Sequence, residues 1–375
     1  MSFSNLSDVE WRELPANGIR VICSRLNDGY VYGRDDAQRL YRSTDGARTW
    51  AQVGDVGLAQ GLSFVIPSND GEILLVGNLD IFRTTGWGTG SISRASVLTS
   101  PTTAYFVPWG VDFNGSGKVV ATHYGTPFTD SRYVWLSEDY GNTWAIIRDL
   151  DSDGKNDRHI HFAIFDPYNS DRIYISHHEE IAAGSGKSVE YSDNNGSTWT
   201  PVHCQTVLRG DGVARELQPT TGVAVPEGIL LGSDDHETGL YKLPRGCSDV
   251  VMFIPGSTES GAFATRSFAA YSQIDPYTGH VYTCWKQQTA NGRSYIIASN
   301  GVSGDIVYAH PNQYSTAVGT LPGFYYLAFT DDEILASAVF PSESDGVTKV
   351  WWAFRAKKSV YKNTRIHSSS KLFAG

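Results

Sequence analysis

Nowhere does this chain string together the roughly eighteen apolar residues that a membrane-spanning helix needs, so insertion into a membrane by a helix is not expected. Long Ala/Glu/Lys/Leu stretches are also missing, and with them any candidate for an extended helix. Positive charge is scarce: 30 Lys and Arg against 40 Asp and Glu leave a formal net charge of −10. That balance argues against a nucleic-acid backbone as partner, and no basic face is visible. Cysteine is sparse as well, and Cys23, Cys204, Cys247 and Cys284 lack the spacing of metal ligands. Cys23 and Cys284 fall inside apolar runs, where buried free thiols are expected; Cys204 and Cys247 lie in connecting stretches, where pairing is an open alternative. Met1 to Glu13 has no apolar leader core. The expectation is a soluble chain acting outside the cell or on a virion surface, used without Sec-type export or after loss of a leader.

What the 375 residues do contain is glycine and aromatic side chains, 38 Gly and 12% Phe, Trp and Tyr, with only 19% charged residues. This composition suits many short strands joined by tight turns. Three stretches repeat as near copies: Ser43 to Trp50 (STDGARTW), Ser137 to Trp144 (SEDYGNTW) and Ser192 to Trp199 (SDNNGSTW), close to the frame Ser-x-Asp-x-Gly-x-Thr-Trp and each preceded by a strand-like end. The chemistry is that of a hairpin turn. The Asp carboxylate caps backbone N–H groups, Gly supplies positive φ, and Trp covers the turn from the following strand. The pattern resembles the Asp-box, or BNR repeat, of sialidase-like β-propellers. That resemblance implies a propeller whose boxes are structural and lie on the face away from the active site.

A second periodicity counts the blades. An apolar run, a Gly/Asp/Asn turn and a second apolar run recur seven times. The pairs are 21–26 with 30–33, 62–66 with 72–77, 109–113 with 118–123, 160–165 with 172–176, 221–225 with 228–232, 268–274 with 280–285, and 324–330 with 333–339. First strands follow one another at intervals of roughly 40 to 60 residues, the length of a four-stranded blade. The predicted fold is therefore all-β, a single seven-bladed β-propeller of four-stranded antiparallel blades spanning residues 1–375, with 366–375 as a tail. Asp8 to Leu14, with Trp11 where a box Trp would stand, is predicted to be the outer strand of the last blade, closing the ring. Blade two has a degenerate box, and the outer hairpins of blades five, six and seven lack one and are expected to rest on packing alone.

In such a ring, side chains just before first strands and just after second strands collect on one face. Six of the ten histidines fall there: His123, His159, His161, His177, His178 and His236. The catalytic candidates are His123 and Tyr124 in blade three with Arg158 and His161 in blade four. The substrate-binding candidates are Arg34, Asp35, His159, His177, Gln218, Asp235, His236, Arg266, Trp285 and Tyr325. Imidazole, guanidinium, carboxylate and aromatic groups together suit a sugar ring, most naturally an acidic one.

Three chemistries compete. A sialidase-type hydrolase needs an arginine cluster, an activated Tyr and an Asp. The Arg-Ile-Pro that usually opens sialidases of this superfamily is missing, its nearest counterpart being Ile19-Arg20-Val21, and sialidases usually have six blades. A polysaccharide lyase needs the uronate carboxylate neutralised and a His or Tyr as base and acid; His123-Tyr124 beside Arg158-His159-x-His161 has those residue types, and some uronate lyases are seven-bladed propellers. Metal binding would use His177 to Glu180 or Asp234 to His236, but neighbours on a strand end point apart. The expectation is a protein that recognises an acidic polysaccharide or glycan, with lyase activity favoured over sialidase activity if it turns substrate over. The alternative is a non-catalytic receptor-binding or structural module of a phage tail or other surface assembly. No metal and no cofactor are expected, and nothing indicates a structural Ca2+. Homo-oligomer and virion assembly both remain open as partnerships.

Overall fold

The computed structural model describes residues 6–16, 18–24, 29–55, 64–67, 73–76, 79–85, 93–101, 104–124, 131–150, 159–178, 189–202, 206–208, 214–217, 219–233, 239–247, 249–255, 267–287, 294–310, 323–341 and 349–358. Strand follows strand, and no α-helix occurs among them. After β1 (Ser7–Glu13) comes an up-and-down sheet of β2 (Arg20–Ser24), β3 (Val31–Arg34), β4 (Arg39–Ser43) and β5 (Ala51–Asp55). The order repeats in β6 (Phe64–Pro67), β7 (Ile73–Val76), β8 (Asp80–Thr85) and β9 (Ser93–Thr99), then in β10 (Tyr105–Phe113), β11 (Val119–Tyr124), β12 (Tyr133–Ser137) and β13 (Ala145–Asp149). It repeats again in β14 (His159–Asp166), β15 (Asn169–His178), β16 (Val189–Ser192) and β17 (Thr200–Val202). A hairpin not foreseen from sequence, β18 (Thr206–Leu208) with β19 (Ala214–Glu216), precedes the sheet of β20 (Pro219–Val225), β21 (Gly228–Ser233), β22 (Gly239–Pro244) and β23 (Val251–Pro255).

The last strands, β24 (Ser267–Ile274), β25 (Val281–Gln287), β26 (Tyr295–Ser299), β27 (Gly304–Ala309), β28 (Gly323–Phe329), β29 (Glu333–Pro341) and β30 (Lys349–Lys357), join β1 in one 8-stranded sheet. Its two halves, β24 to β27 and β28 to β30 with β1, meet at a single bridge between Lys286 and Gly323. All seven strand pairs expected from the repeating runs are antiparallel ladders. The N-terminal strand pairs with β30, Trp11 opposite Phe354.

The chain divides into two compact units. One comprises Met1–Gly57, His236–Gly239 and Ile254–Ala374; the other comprises Leu58–Asp235 and Leu240–Phe253. Within each, successive sheets pack face to face. In the second unit Phe162, Ile164 and Tyr174 interlock with Ile229, Leu231 and Tyr241, while Val120, Val134 and Leu136 meet Ile160, Ala163 and Phe165. Gly222 is required by this packing, since a Cβ there would stand 2.8 Å from the Phe162 ring. In the first unit Val21 and Val31 pack on Ala328 and Leu335. Strands buried on both faces explain the continuous apolar runs: burial at roughly 25 cal/mol per Å2 favours any pairing that hides both sides.

The three repeated turns share one hydrogen-bond scheme. Asp139 accepts from the Ser137 hydroxyl at 2.8 Å, the Thr143 amide at 2.8 Å and the Thr143 hydroxyl at 2.7 Å, while Ser137 Oγ accepts the Gly141 amide at 2.8 Å. Asp45 does the same for Ser43 and Thr49. The third copy carries Asn194 at this position, and its Oδ1 accepts from Ser192 and from the Thr198 amide. Each turn places two successive residues at positive φ: Gly46 and Ala47, Tyr140 and Gly141, Asn195 and Gly196. Ala47 therefore takes a conformation expected of glycine, held there by its amide bond to Ser43 Oγ at 2.8 Å.

Outer hairpins lacking this turn do not all rest on packing alone: Arg245 after β22 and Lys358 after β30 each reach an Asp-Pro-Tyr turn of the strands before them. In these two turns, Asp166-Pro167-Tyr168 and Asp275-Pro276-Tyr277, the Asp caps the Tyr amide at 3.0 Å. Each Asp is buried and receives a cation from the following strands, Arg245 in a fork at 2.6 and 3.1 Å and Lys358 at 2.9 Å. Each cation also lies 5.1 Å from the ring centre of the same turn's Tyr. Of the cysteines, Cys23 and Cys284 are buried thiols as expected, Cys247 is an exposed thiol, and Cys204 lies outside the described residues.

Candidate functional site

Two polar clusters form where strand ends meet, one in each unit. In the second unit, Tyr124 ends β11, His161 lies at a register break near the start of β14, His177 is next to last in β15 and Pro219 opens β20. Register puts Tyr105 opposite Tyr124 and Ile160 opposite His177, so the same ends come together because the ladders are in step. His161 Nδ1 is 3.0 Å from the Pro219 carbonyl. A carbonyl only accepts, so Nδ1 carries the proton and the lone pair sits on Nε2. Burial, with His177 adding to it, drops the His161 pKa to about 4, keeping the ring neutral near pH 7. The Tyr124 ring centre lies 6.0 Å from that of His161, and half-exposed Tyr105 lies 6.3 Å beyond Tyr124. Ser176 also donates to the Pro219 carbonyl, at 2.6 Å.

An ion pair between Arg148 and Glu190 adjoins His177. His177 Nε2 is 3.4 Å from Glu190 Oε1, and Arg148 donates to Glu190 through Nε at 3.1 Å and Nη2 at 3.2 Å. Burial pushes the Glu190 carboxyl up, but His177 and Arg148 outweigh it and hold the pKa at about 2. His123 is fully buried one position before Tyr124. Its Nδ1 is 2.9 Å from Ser100 Oγ, and Phe106, Tyr133 and Trp135 surround its ring.

The first unit gathers cations. Arg20 heads β2 and is the register partner of Arg34 at the end of β3. Arg20 pairs with Asp36 and lies 4.4 Å from the Trp351 ring centre, while Arg34 donates to Gln38. Burial, and then the neighbouring Arg34 charge, lower the Arg20 pKa to about 10. Lys286 Nζ sits 3.4 Å from the Tyr325 ring centre, and burial lowers its pKa to about 7. Tyr325 in turn lies 5.6 Å from Trp351.

The sequence candidates are thus sorted. Tyr124, His161 and His177 come together in one unit, and Arg34 and Tyr325 share the cationic region of the other. Asp35 is spent in a turn, accepting from the Arg39 amide at 2.9 Å, Arg39 Nε at 2.6 Å and Tyr41 at 3.1 Å. Trp285 is fully buried in a core cluster with Tyr295 and Ile297, so its ring faces are covered by protein. Arg158, Gln218, Asp235, His236 and Arg266 lie outside the described residues, and His159 is described in its backbone alone, paired with His178. Sequence reasoning missed Glu190 and Trp351, which sit within strands beside apolar neighbours, and Arg148, next to last in β13; none carries a local signal. Arg20 had one: it heads a first strand, the place the topology marks. Among the described residues no three His, Cys, Asp or Glu side chains gather as a metal site, and no helix is long and apolar enough to cross a membrane.

No protein-family model and no curated protein matches the sequence. Solved structures do resemble this one. An oligogalacturonate lyase in complex with manganese aligns over 96% of this chain and 100% of its own, at a TM-score of 0.57 and 13% identity. A streptogramin B lyase aligns over 93% and 98%, at 0.56 and 12%. YCF48 from Cyanidioschyzon merolae aligns over 92% and 98%, at 0.55 and 13%. The chain shares the β-propeller fold of these proteins. At such identities the likeness concerns fold only, because one propeller scaffold carries many unrelated sites.

Proposed function

We propose that this chain is a seven-bladed, Asp-box-type propeller, a single ring closed by β1, that recognises an acidic, uronate- or sialate-containing polysaccharide. The pairing of Tyr124 with a neutral His161 carries this reading. Abstraction of the proton α to a uronate carboxylate calls for a base that is unprotonated near neutrality and a phenol or imidazole to protonate the leaving oxygen. The tautomer held by the Pro219 carbonyl directs the His161 lone pair away from the backbone. An oligogalacturonate lyase among proteins of this fold lends the same substrate class weak support.

Incubation with polygalacturonate and other uronate polymers tests the reading: an unsaturated product absorbing in the near ultraviolet is expected, and is lost in Tyr124→Phe and His161→Gln. Absence of both product and binding across uronate and sialate polymers would sink it. The burial of His161, at 4% exposure, favours a second reading in which the site binds glycan without cleaving it, as a recognition module on a virion or other surface assembly would. Retention of an intact oligosaccharide with unchanged reducing-end count identifies that case.

A further inference from the structure

Arg20 and Arg34 face each other directly across β2 and β3. Like charges in that arrangement repel and cost stability, and guanidinium does not relieve the repulsion by deprotonating. Asp35 offsets this repulsion only from a distance, since its carboxylate is hydrogen-bonded to Arg39 and Tyr41. The balancing charge on Arg20 is Asp36, and the two partners differ in exposure: the Arg20 side chain is 9% exposed, that of Asp36 48%. Trp351 backs the Arg20 guanidinium, and the Nε atoms of both arginines are buried without a hydrogen-bond acceptor. Lys286 and Tyr325 extend the same region through the Trp351 ring.

We propose that Arg20 and Arg34 form an anion site in which Asp36 is an internal stand-in, and that a carboxylate or sulfate group of an acidic glycan exchanges with it. The identity of the ligand rests on the polysaccharide reading above; the site itself does not. Charge is conserved in the exchange, because the half-exposed Asp36 carboxylate is released to water as the incoming anion takes the buried guanidinium. A tethered competitor of this kind lowers apparent affinity by the fraction of molecules in which it occupies the site.

Inorganic sulfate, titrated into the full chain at constant ionic strength with tryptophan fluorescence as readout, probes the site alone. Asp36→Ala is expected to tighten sulfate binding by about tenfold or more, and Arg20→Gln and Arg34→Gln to weaken it by at least about tenfold. Arg20→Lys keeps the charge but not the fork, so it gives an intermediate loss and serves if the Gln variant does not fold. A folded Asp36→Ala protein with unchanged or weaker sulfate affinity overturns the proposal. Competition by polygalacturonate assigns the natural anion to a carboxylate and competition by dextran sulfate to a sulfate ester, whereas equal competition by neutral dextran overturns an anion site. Sulfate binding that responds to these variants without any polysaccharide binding leaves the site standing and removes the polysaccharide reading. Polysaccharide binding together with a sulfate affinity indifferent to Arg20 and Asp36 does the reverse.

Discussion

A buried ionisable side chain makes stability depend on pH, and two here do so in separate windows. Lys286 has a folded pKa near 7 against an ordinary 10.5, caused by burial. Between those values the unfolded chain binds the extra proton, so stability is expected to rise from pH 7 toward 10.5 through this residue. Lys286→Met should flatten that rise, read as the pH dependence of the urea midpoint. His161, lowered to about 4 by burial and His177, behaves alike at lower pH: its contribution is lost as pH falls from 6.5 toward 4. His161→Gln should therefore narrow the drop in melting temperature between pH 6.5 and 4. A variant that loses activity while keeping the wild-type pH dependence would show that His161 does not titrate in this window.

At the level of the element, the repeated turn is a small polar machine whose parts can be removed singly. Asp139→Ala deletes the acceptor for Ser137 and for both groups of Thr143, at a cost of about 1–3 kcal/mol in chemical denaturation. Trp144, partly buried on the Trp135 cluster and donating to the Gly141 carbonyl at 3.0 Å, should cost about 3 kcal/mol when cut to Ala. Gly196 combines φ +86° with a Cβ position 2.6 Å from Ile147, so Gly196→Ala is expected to cost more than the roughly 1 kcal/mol of left-handed strain alone. The Asp-Pro-Tyr turns invite the parallel test. Arg245→Ala leaves the buried Asp166 carboxylate without its fork and should destabilise by about 3–5 kcal/mol, as breaking one side of a buried pair does.

For the whole molecule the question is how the chain's two ends cooperate. Trp11 on β1 donates to the Tyr308 hydroxyl at 2.8 Å and touches Phe324, Phe340 and Phe354, so the N-terminal strand is fastened to strands from the last third of the chain. Deleting residues 1–13 should lower the melting temperature and leave the β30 edge unpaired, with self-association measured by light scattering as the expected result. An unchanged, monomeric deletion variant would count against closure by β1. The amino-acid sequence by itself determined the all-β class, the seven antiparallel strand pairs and the turn chemistry, because each depends on residues within a few positions of one another: alternating burial, a capping Asp, a permissive glycine. It also marked the strand ends where Tyr124, His161 and Arg34 would lie. Only tertiary structure decided which side chains at those ends gather and which are spent elsewhere. Asp35 and Trp285 looked as available as Arg34 and Tyr325 until Arg39 and the core claimed them, and Arg20, Glu190 and Trp351 joined the two clusters through partners tens to hundreds of residues away. Those long-range pairings are set by how sheets stack, and the sum of local preferences along a chain carries no record of that.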